Sequence, residues 1–156
     1  MTQTPITAIV VSLALGLCGT ASRAGQGGAS GPSAAAPGKL DRSGQQRVGK
    51  ASFYARRFAG RKMANGRPMN PHHNNAASKS LPLGTTARVT NLDTGRSAVV
   101  TIQDRGPYVP GRIVDLSPAT AQEIGLTREV GVATVAVAPI AVPLPDGRVR
   151  AGDGAK

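Results

Sequence analysis

Between residues 49 and 140, apolar and polar residues alternate in short runs, the pattern of β-strands that bury one face. Residues 97–103 show it most clearly, because four consecutive residues there, 99–102, are β-branched. The pattern predicts five strands, at 49–54, 86–90, 97–103, 112–116 and 132–138. Residues 91–96 contain Asn, Asp and Gly, which predicts a hairpin turn between the second and third of these strands.

One short helix is predicted directly after the fourth strand. Ser117 can cap it, Pro118 suits its first turn, residues 119–124 form its body, and Gly125 can end it. Several short strands, one helix and closely spaced turns are typical of a small barrel. The chain is therefore expected to be mostly β.

The segments on either side of residues 49–140 lack this pattern. Residues 1–24 resemble a secretory signal peptide, since the apolar run at 6–17 is too short to span a bilayer as a helix. Small residues at 22 and 24 favour cleavage after Ala24, and lipidation of Cys18 is the alternative. Residues 25–48 are rich in Gly, Ala, Ser and Pro, a composition that predicts a disordered linker. A disordered tail is predicted for residues 141–156. We expect export to the periplasm.

The composition narrows the possible partners. A formal net charge of +11 favours anionic partners such as nucleic acid, acidic lipid or an acidic cell-wall polymer. With no Trp, two Tyr and two Phe, the chain lacks the stacking surfaces that single-stranded nucleic acid requires, so no nucleic-acid partner is expected. The single cysteine excludes an intramolecular disulfide, and adjacent His72 and His73 lack metal-binding spacing, so no metal or cofactor is expected.

Residues 49–140 contain only five carboxylates: Asp93, Asp104, Asp115, Glu123 and Glu129. The first lies in the predicted turn, and the two Glu residues are expected on the surface. Asp104 and Asp115 each follow or end a strand-like run. Either carboxyl group could serve as the general acid that cleavage of a glycosidic bond requires. A structural role is the competing interpretation, because Asp before a turn or a helix often binds backbone N–H groups.

Six separated motifs resemble, in order, the rare lipoprotein A (RlpA) family. They are GKASFY at 49–54, FAGRKMANG at 58–66, LPLGT at 81–85, VTNL at 89–92, DRGPY at 104–108 and GRIVDLS at 111–117. The resemblance implies a six-stranded double-psi β-barrel over residues 49–140, similar to the first domain of expansins. It also implies a periplasmic or outer-membrane protein that cleaves peptidoglycan strands stripped of their stem peptides. The C-terminal glycan-binding SPOR module that many family members carry is expected to be absent.

The resemblance also implies a site. Asp104 and Asp115 would be catalytic, and substrate contacts are expected from Ser52, Tyr54, Asn65, Arg105 and Tyr108. Two family positions differ in this chain: Arg67 occupies the place of a Glu implicated in catalysis, and Ser78 the place of a His. Arg67 cannot exchange a proton usefully near neutral pH.

Two functions follow from these residues. As a lytic transglycosylase, the protein would use the sugar's own 6-hydroxyl in place of water and form 1,6-anhydro ends, so one acid/base group could suffice. Asp115 is the favoured acid, because an ion pair with Arg105 would lower the pKa of Asp104. The alternative is a non-catalytic, expansin-like protein that binds or loosens the wall. A monomer bound to peptidoglycan glycan strands is expected in either case.

Overall fold

The computed structural model describes residues 38–156, which form seven strands, one α-helix and two 3₁₀ turns. The strands are β1 (Arg47–Phe53), β2 (Asn75–Ala77), β3 (Thr86–Asn91), β4 (Ser97–Asp104), β5 (Arg112–Leu116), β6 (Ala133–Pro143) and β7 (Val149–Ala151). The helix is α1 (Pro118–Glu123), and the 3₁₀ turns are Arg56–Phe58 and Asp153–Ala155. The predicted signal peptide, Cys18 and residues 25–37 of the predicted linker lie outside the described residues. No helix within 38–156 is long and apolar enough to cross a membrane.

Six of the strands close into a barrel. The order is β1-β5-β2-β4-β3-β6, and β1 also pairs with β6, so the first and last strands meet. The β1–β5 and β2–β4 pairs are parallel, and the other pairs are antiparallel. Parallel neighbours require crossover connections rather than hairpins. The predicted mostly β, six-stranded double-psi barrel with one short helix is confirmed, with β7 added outside the barrel on β6.

The barrel interior is filled by aliphatic side chains. Along β4, Ala98, Val100 and Ile102 are buried while Val99 between them is exposed, which is the alternation that the sequence predicts. Ala121 of α1 and Ile124 just after it join the same core. The core also contains Ala51, Val89, Val114, Leu116, Leu126 and Val135.

The helix and the hairpin turn form as predicted. Ser117 Oγ accepts a hydrogen bond from the backbone N–H of Thr120 at 3.2 Å, and Gly125 takes the left-handed conformation at φ +78°. The turn between β3 and β4 is tied to the end of this helix, because Asn91 Nδ2 donates to the carbonyl oxygen of Ile124 at 3.0 Å.

The C-terminal segment differs from the disordered tail predicted for residues 141–156. Strand β6 continues to Pro143 and pairs there with β7. Beyond β7, the chain packs closely on β6, since a Cβ at Gly152 would lie 2.3 Å from the carbonyl oxygen of Pro139. Gly152 and Gly154 permit this close approach because they have no Cβ.

Two other elements differ from the pattern. Strand β1 begins at Arg47, inside the predicted linker, and just before it the N–H of Asp41 donates to the carbonyl oxygen of Ser80 at 2.7 Å. Strand β2 was not predicted, because Asn75–Ala77 contains no β-branched or aromatic residue. Its strand conformation comes from pairing with β4 on one side and β5 on the other.

Candidate active site

Asp104 and Asp115 lie in one row of paired positions that crosses four strands. Ser52 of β1 is paired with Asp115, Asp115 with Ala77 of β2, and Ala77 with Asp104. Because neighbouring strands are about 4.8 Å apart, the Cα atoms of the two aspartates are about 10 Å apart, on either side of Ala77. The structure therefore brings together the two carboxylates that the sequence singled out.

Two β-bulges turn these side chains to the outside of the barrel. On β4, Ala76 is paired with Ile102 and Ala77 with Asp104, so Gln103 is the extra residue. Ile102 faces the core, and without the bulge Asp104, two residues on, would face the core as well. The bulge reverses that direction and presents Asp104 on the outer surface.

The second bulge lies on β5 at Ile113, between positions paired with Lys50 and Ala51. In a regular strand, residues three apart point to opposite sides, but this bulge places Arg112 and Asp115 on the same side. Gly49 makes room for it, since a Cβ there would lie 2.7 Å from Ile113 Cγ2.

Three donors converge on Asp104. Its Oδ2 accepts a hydrogen bond from the Tyr54 hydroxyl at 3.0 Å, and its Oδ1 accepts from the N–H groups of Ala64 at 2.9 Å and Arg105 at 2.8 Å. The Arg105 guanidinium points elsewhere and donates to the carbonyl oxygens of Ser78 at 3.0 Å and Leu81 at 2.6 Å. The Arg105–Asp104 ion pair considered from the sequence is therefore not formed.

Asp115 has one charged partner. Arg112 Nη2 lies 2.6 and 2.7 Å from its two carboxylate oxygens, and the two side chains are only 23% and 15% exposed. Burial raises the pKa of Asp115, and the hydrogen bond and charge of Arg112 lower it, with burial the larger effect. Asp115 therefore holds a proton to higher pH than an ordinary aspartate, as a general acid requires.

Tyr54 packs beside Asp104. Its ring is buried against Met63, Met69 and Ala77, outside the main barrel core. Burial, followed by the negative charge of Asp104, raises the pKa of the Tyr54 hydroxyl, so it remains a hydrogen-bond donor. Tyr54 is thus a positioning group for Asp104 more than a free surface for substrate.

The other predicted contact residues lie around this row. The Ser52 hydroxyl donates to the carbonyl oxygen of Gly131 at 3.1 Å. Asn65 is exposed on the loop that holds Asp104, and its N–H donates to the carbonyl oxygen of Gln103 at 3.0 Å. Tyr108 is 70% exposed, which leaves its ring free to stack on a sugar.

The two positions that depart from the resemblance offer no acid or base. Arg67 is exposed, and its N–H donates to Asn65 Oδ1 at 3.0 Å. Ser78 is buried, and its hydroxyl oxygen accepts from the N–H of Leu81 at 3.3 Å. Within residues 38–156, no three His, Cys, Asp or Glu side chains are grouped as a metal site would require.

Sequence reasoning missed Arg112 as a site residue. Its spacing of three from Asp115 gives no signal in a strand, and only the bulge brings the two together. An open cavity of about 660 Å³, lined in part by Tyr54, was also not predicted from the sequence. This cavity is lined by Phe53, Tyr54, Arg56, Gln122, Leu126 and Arg128, among others.

Comparison with known proteins identifies the family to which this barrel belongs. The sequence profile of a family described as lytic transglycolase matches residues 46–137, more than half of the chain, and the chain belongs to this family. The endolytic peptidoglycan transglycosylase RlpA of Pasteurella multocida is 54% identical over 84 residues, covering 54% of this chain and 29% of the relative. The Vibrio cholerae protein of the same name is 43% identical over 97 residues, covering 62% and 36%.

The resemblance to the RlpA family is therefore confirmed. The matched part makes up 36% or less of the length of each of these two relatives. Among solved structures, an expansin of Clavibacter michiganensis is 19% identical with a TM-score of 0.47, covering 61% of this chain and 50% of its own.

Proposed function

We propose that this protein is an endolytic peptidoglycan lytic transglycosylase that cleaves peptide-poor glycan strands and leaves 1,6-anhydro ends. The observation that carries the proposal is the pair of outward-facing aspartates, Asp104 and Asp115. Burial raises the pKa of Asp115, and three hydrogen-bond donors hold Asp104 in place. The names of the relatives support the same reaction and substrate.

In the proposed reaction, Asp115 is the general acid. Its proton passes to the glycosidic oxygen as the bond from that oxygen to the anomeric carbon breaks. The carboxylate left behind is stabilised by Arg112, which already contacts both of its oxygens. Asp115 then accepts the proton of the sugar's 6-hydroxyl as that oxygen bonds to the anomeric carbon. The proton returns to Asp115, and no water is consumed.

Asp104 has a different role in this proposal. Its two oxygens accept hydrogen bonds from Tyr54, Ala64 and Arg105, which fix the carboxylate about two strand spacings from Asp115. A fixed negative charge at this place would stabilise the positive charge that develops on the sugar ring. Ser52, Asn65 and the exposed ring of Tyr108 would contact the sugars around it.

The substrate also determines the place of action. Peptidoglycan lies outside the cytoplasmic membrane, so a periplasmic protein is proposed, in agreement with the predicted signal peptide. Cleavage after Ala24, the alternative of lipidation at Cys18, and a monomeric state remain predictions. No nucleic-acid partner is proposed.

A second candidate function is a non-catalytic, expansin-like protein that binds or loosens the wall. Arg67 and Ser78 favour it, because an exposed cation and a buried hydroxyl occupy the positions at which the family resemblance implies a Glu and a His. The same barrel would then bind glycan without cleaving it.

One experiment separates the two functions. The purified protein is incubated with peptide-free glycan strands, and 1,6-anhydro sugar ends are measured by mass spectrometry. We expect Asp115→Asn to lower the rate at least about 100-fold, which is the usual contribution of a general acid. Asp104→Asn should also lower it, whereas Asp146→Asn, an exposed residue paired with Arg148, should not. Glycan binding without anhydro products from the wild-type protein would favour the wall-binding function.

A further inference from the structure

In one stretch of the chain, all the charged Lys, Arg, Asp and Glu positions are positive. Residues 42–92 contain ten Lys and Arg residues and no Asp or Glu. Five of the ten form what we call the cationic loop: Arg56, Arg57, Arg61, Lys62 and Arg67, all of them exposed. The salt bridges found within residues 38–156 involve other cations, namely Arg47, Arg112, Arg148 and Lys156. The protein itself therefore leaves the charge of this loop available to a ligand.

The cationic loop is fixed beside the candidate active site. The N–H of Ala64 donates to Asp104 Oδ1 at 2.9 Å, and the N–H of Asn65 donates to the carbonyl oxygen of Gln103 at 3.0 Å. Met63 and Met69 are buried under the loop together with Tyr54. The loop that carries these cations is thus held against Asp104 at the end of β4.

Phe58 orients two of the cations. The guanidinium carbons of Arg57 and Arg61 lie 5.1 and 5.8 Å from the centre of its ring, within the range of cation–π contacts. The Phe58 ring in turn meets Tyr54 edge to face at 6.0 Å between centres. These contacts pre-organise the two arginines and reduce the entropy that they lose on binding a ligand.

The substrate of the proposed reaction offers one matching group. Each muramic acid unit of peptidoglycan carries a lactyl ether, whose carboxyl group is an uncharged amide while a stem peptide is attached. Removal of the peptide leaves a free carboxylate, which is the group that a guanidinium binds with two parallel hydrogen bonds. The cationic loop would attract this carboxylate, whereas the negative charge of Asp104 would repel it from its own position.

We propose that the cationic loop, through Arg57 and Arg61 first of all, binds the free lactyl carboxylates of muramic acid and so selects peptide-free strands. This inference rests on the substrate of the proposed function, and it does not depend on whether the glycan is cleaved. It also gives Arg67 a role, because the Glu that the family resemblance implies at this position would repel the carboxylate.

The test compares two forms of one substrate. Peptide-free glycan strands are used with free lactyl carboxylates or after conversion of these groups to neutral methylamides, and binding to the full protein is measured at low and high salt. We expect the wild-type protein to bind the free-carboxylate form at least about threefold more tightly, with a preference that shrinks as salt screens the charges. Arg57→Gln/Arg61→Gln should remove most of the preference.

Arg88→Gln is the matched control, because Arg88 is an exposed cation on β3, across the barrel from β5. It should keep the preference. A second pair, Lys62→Gln/Arg67→Gln, leaves the Phe58 contacts intact and should reduce the preference as well. Equal wild-type affinity for both forms, or an Arg88→Gln effect as large as that of the double variants, would overturn the inference.

The two proposals fail in different ways in this experiment. Anhydro ends are measured in the same samples as binding. Preference for free carboxylates without anhydro ends would support the recognition and contradict the catalysis. Anhydro ends from both substrate forms, with equal affinity, would support the catalysis and contradict the recognition.

Discussion

The hydroxyl of Tyr54 donates a hydrogen bond to Asp104 Oδ2 at 3.0 Å, and this bond joins the end of β1 to the end of β4. The two residues are fifty positions apart in the chain. Tyr54 is also buried under the cationic loop. Its ring packs on Phe58 and the buried methionines, while its hydroxyl reaches the carboxylate. One side chain therefore makes both a packing contact under the loop and a hydrogen bond in the candidate site.

Tyr54→Phe separates these two contacts. Phe keeps the ring packing but leaves Asp104 with two donors, so we expect a loss of about 1–2 kcal/mol in the free energy of unfolding. Formation of anhydro ends should fall as well, since the carboxylate becomes less well held. Denaturant unfolding and the mass-spectrometric assay measure the two effects. A variant with unchanged stability and unchanged activity would show that the hydrogen bond contributes nothing to either.

Gly152→Ala tests whether the C-terminal segment is part of the fold. The added Cβ would lie 2.3 Å from the carbonyl oxygen of Pro139 and 2.7 Å from that of Gly44, so backbone must shift. Forced crowding of this kind costs about 1–3 kcal/mol in the free energy of unfolding. Gly38→Ala is the control, because no atom lies within 4 Å of a Cβ there. Equal denaturation midpoints for the two variants would mean that residues 152–156 contribute little to stability.

The long strands could be predicted because they are rich in β-branched residues and because apolar residues recur along them. Strands β3, β4, β5 and most of β6 carry this signal, and so does the cap of α1 at Ser117. Strand β2 carries no such signal, because its three residues become a strand only through both neighbours. The C-terminal segment was expected to be disordered, although its glycines allow it to pack on β6.

The candidate site could be predicted only in part. Asp104 and Asp115 were found by elimination among few carboxylates and by resemblance, and the structure places both in one row. The partners of each aspartate could not be found in this way. Arg112 reaches Asp115 only because of a bulge, and Tyr54 reaches Asp104 only because the barrel closes. Long-range register and bulges are not visible in the periodicity of a single chain.

A third stability prediction concerns the turn between β3 and β4. Asn91 Nδ2 and Thr94 Oγ1 both donate to the carbonyl oxygen of Ile124, at 3.0 and 2.9 Å. Either Asn91→Ala or Thr94→Ala leaves this oxygen one donor, and each should cost about 1 kcal/mol. The double variant leaves it none, so its loss of unfolding free energy should exceed the sum of the single losses. Additive losses in a denaturant double-mutant cycle would contradict this coupling.

The pH dependence of cleavage tests the assignment of Asp115 as the acid. Its pKa is raised above the ordinary 3.8 by burial, against the opposing effect of Arg112. The protonated form is required, so kcat/KM should fall as the pH rises through this raised pKa. Arg112→Gln removes the opposing effect, raises the pKa of Asp115 further and should move the falling limb to higher pH. Arg148→Gln, whose partner Asp146 lies on the surface near the C-terminus, should leave the profile unchanged. A limb that stays in place in Arg112→Gln would mean that another group donates the proton, and Asp104 would then be the residue to test.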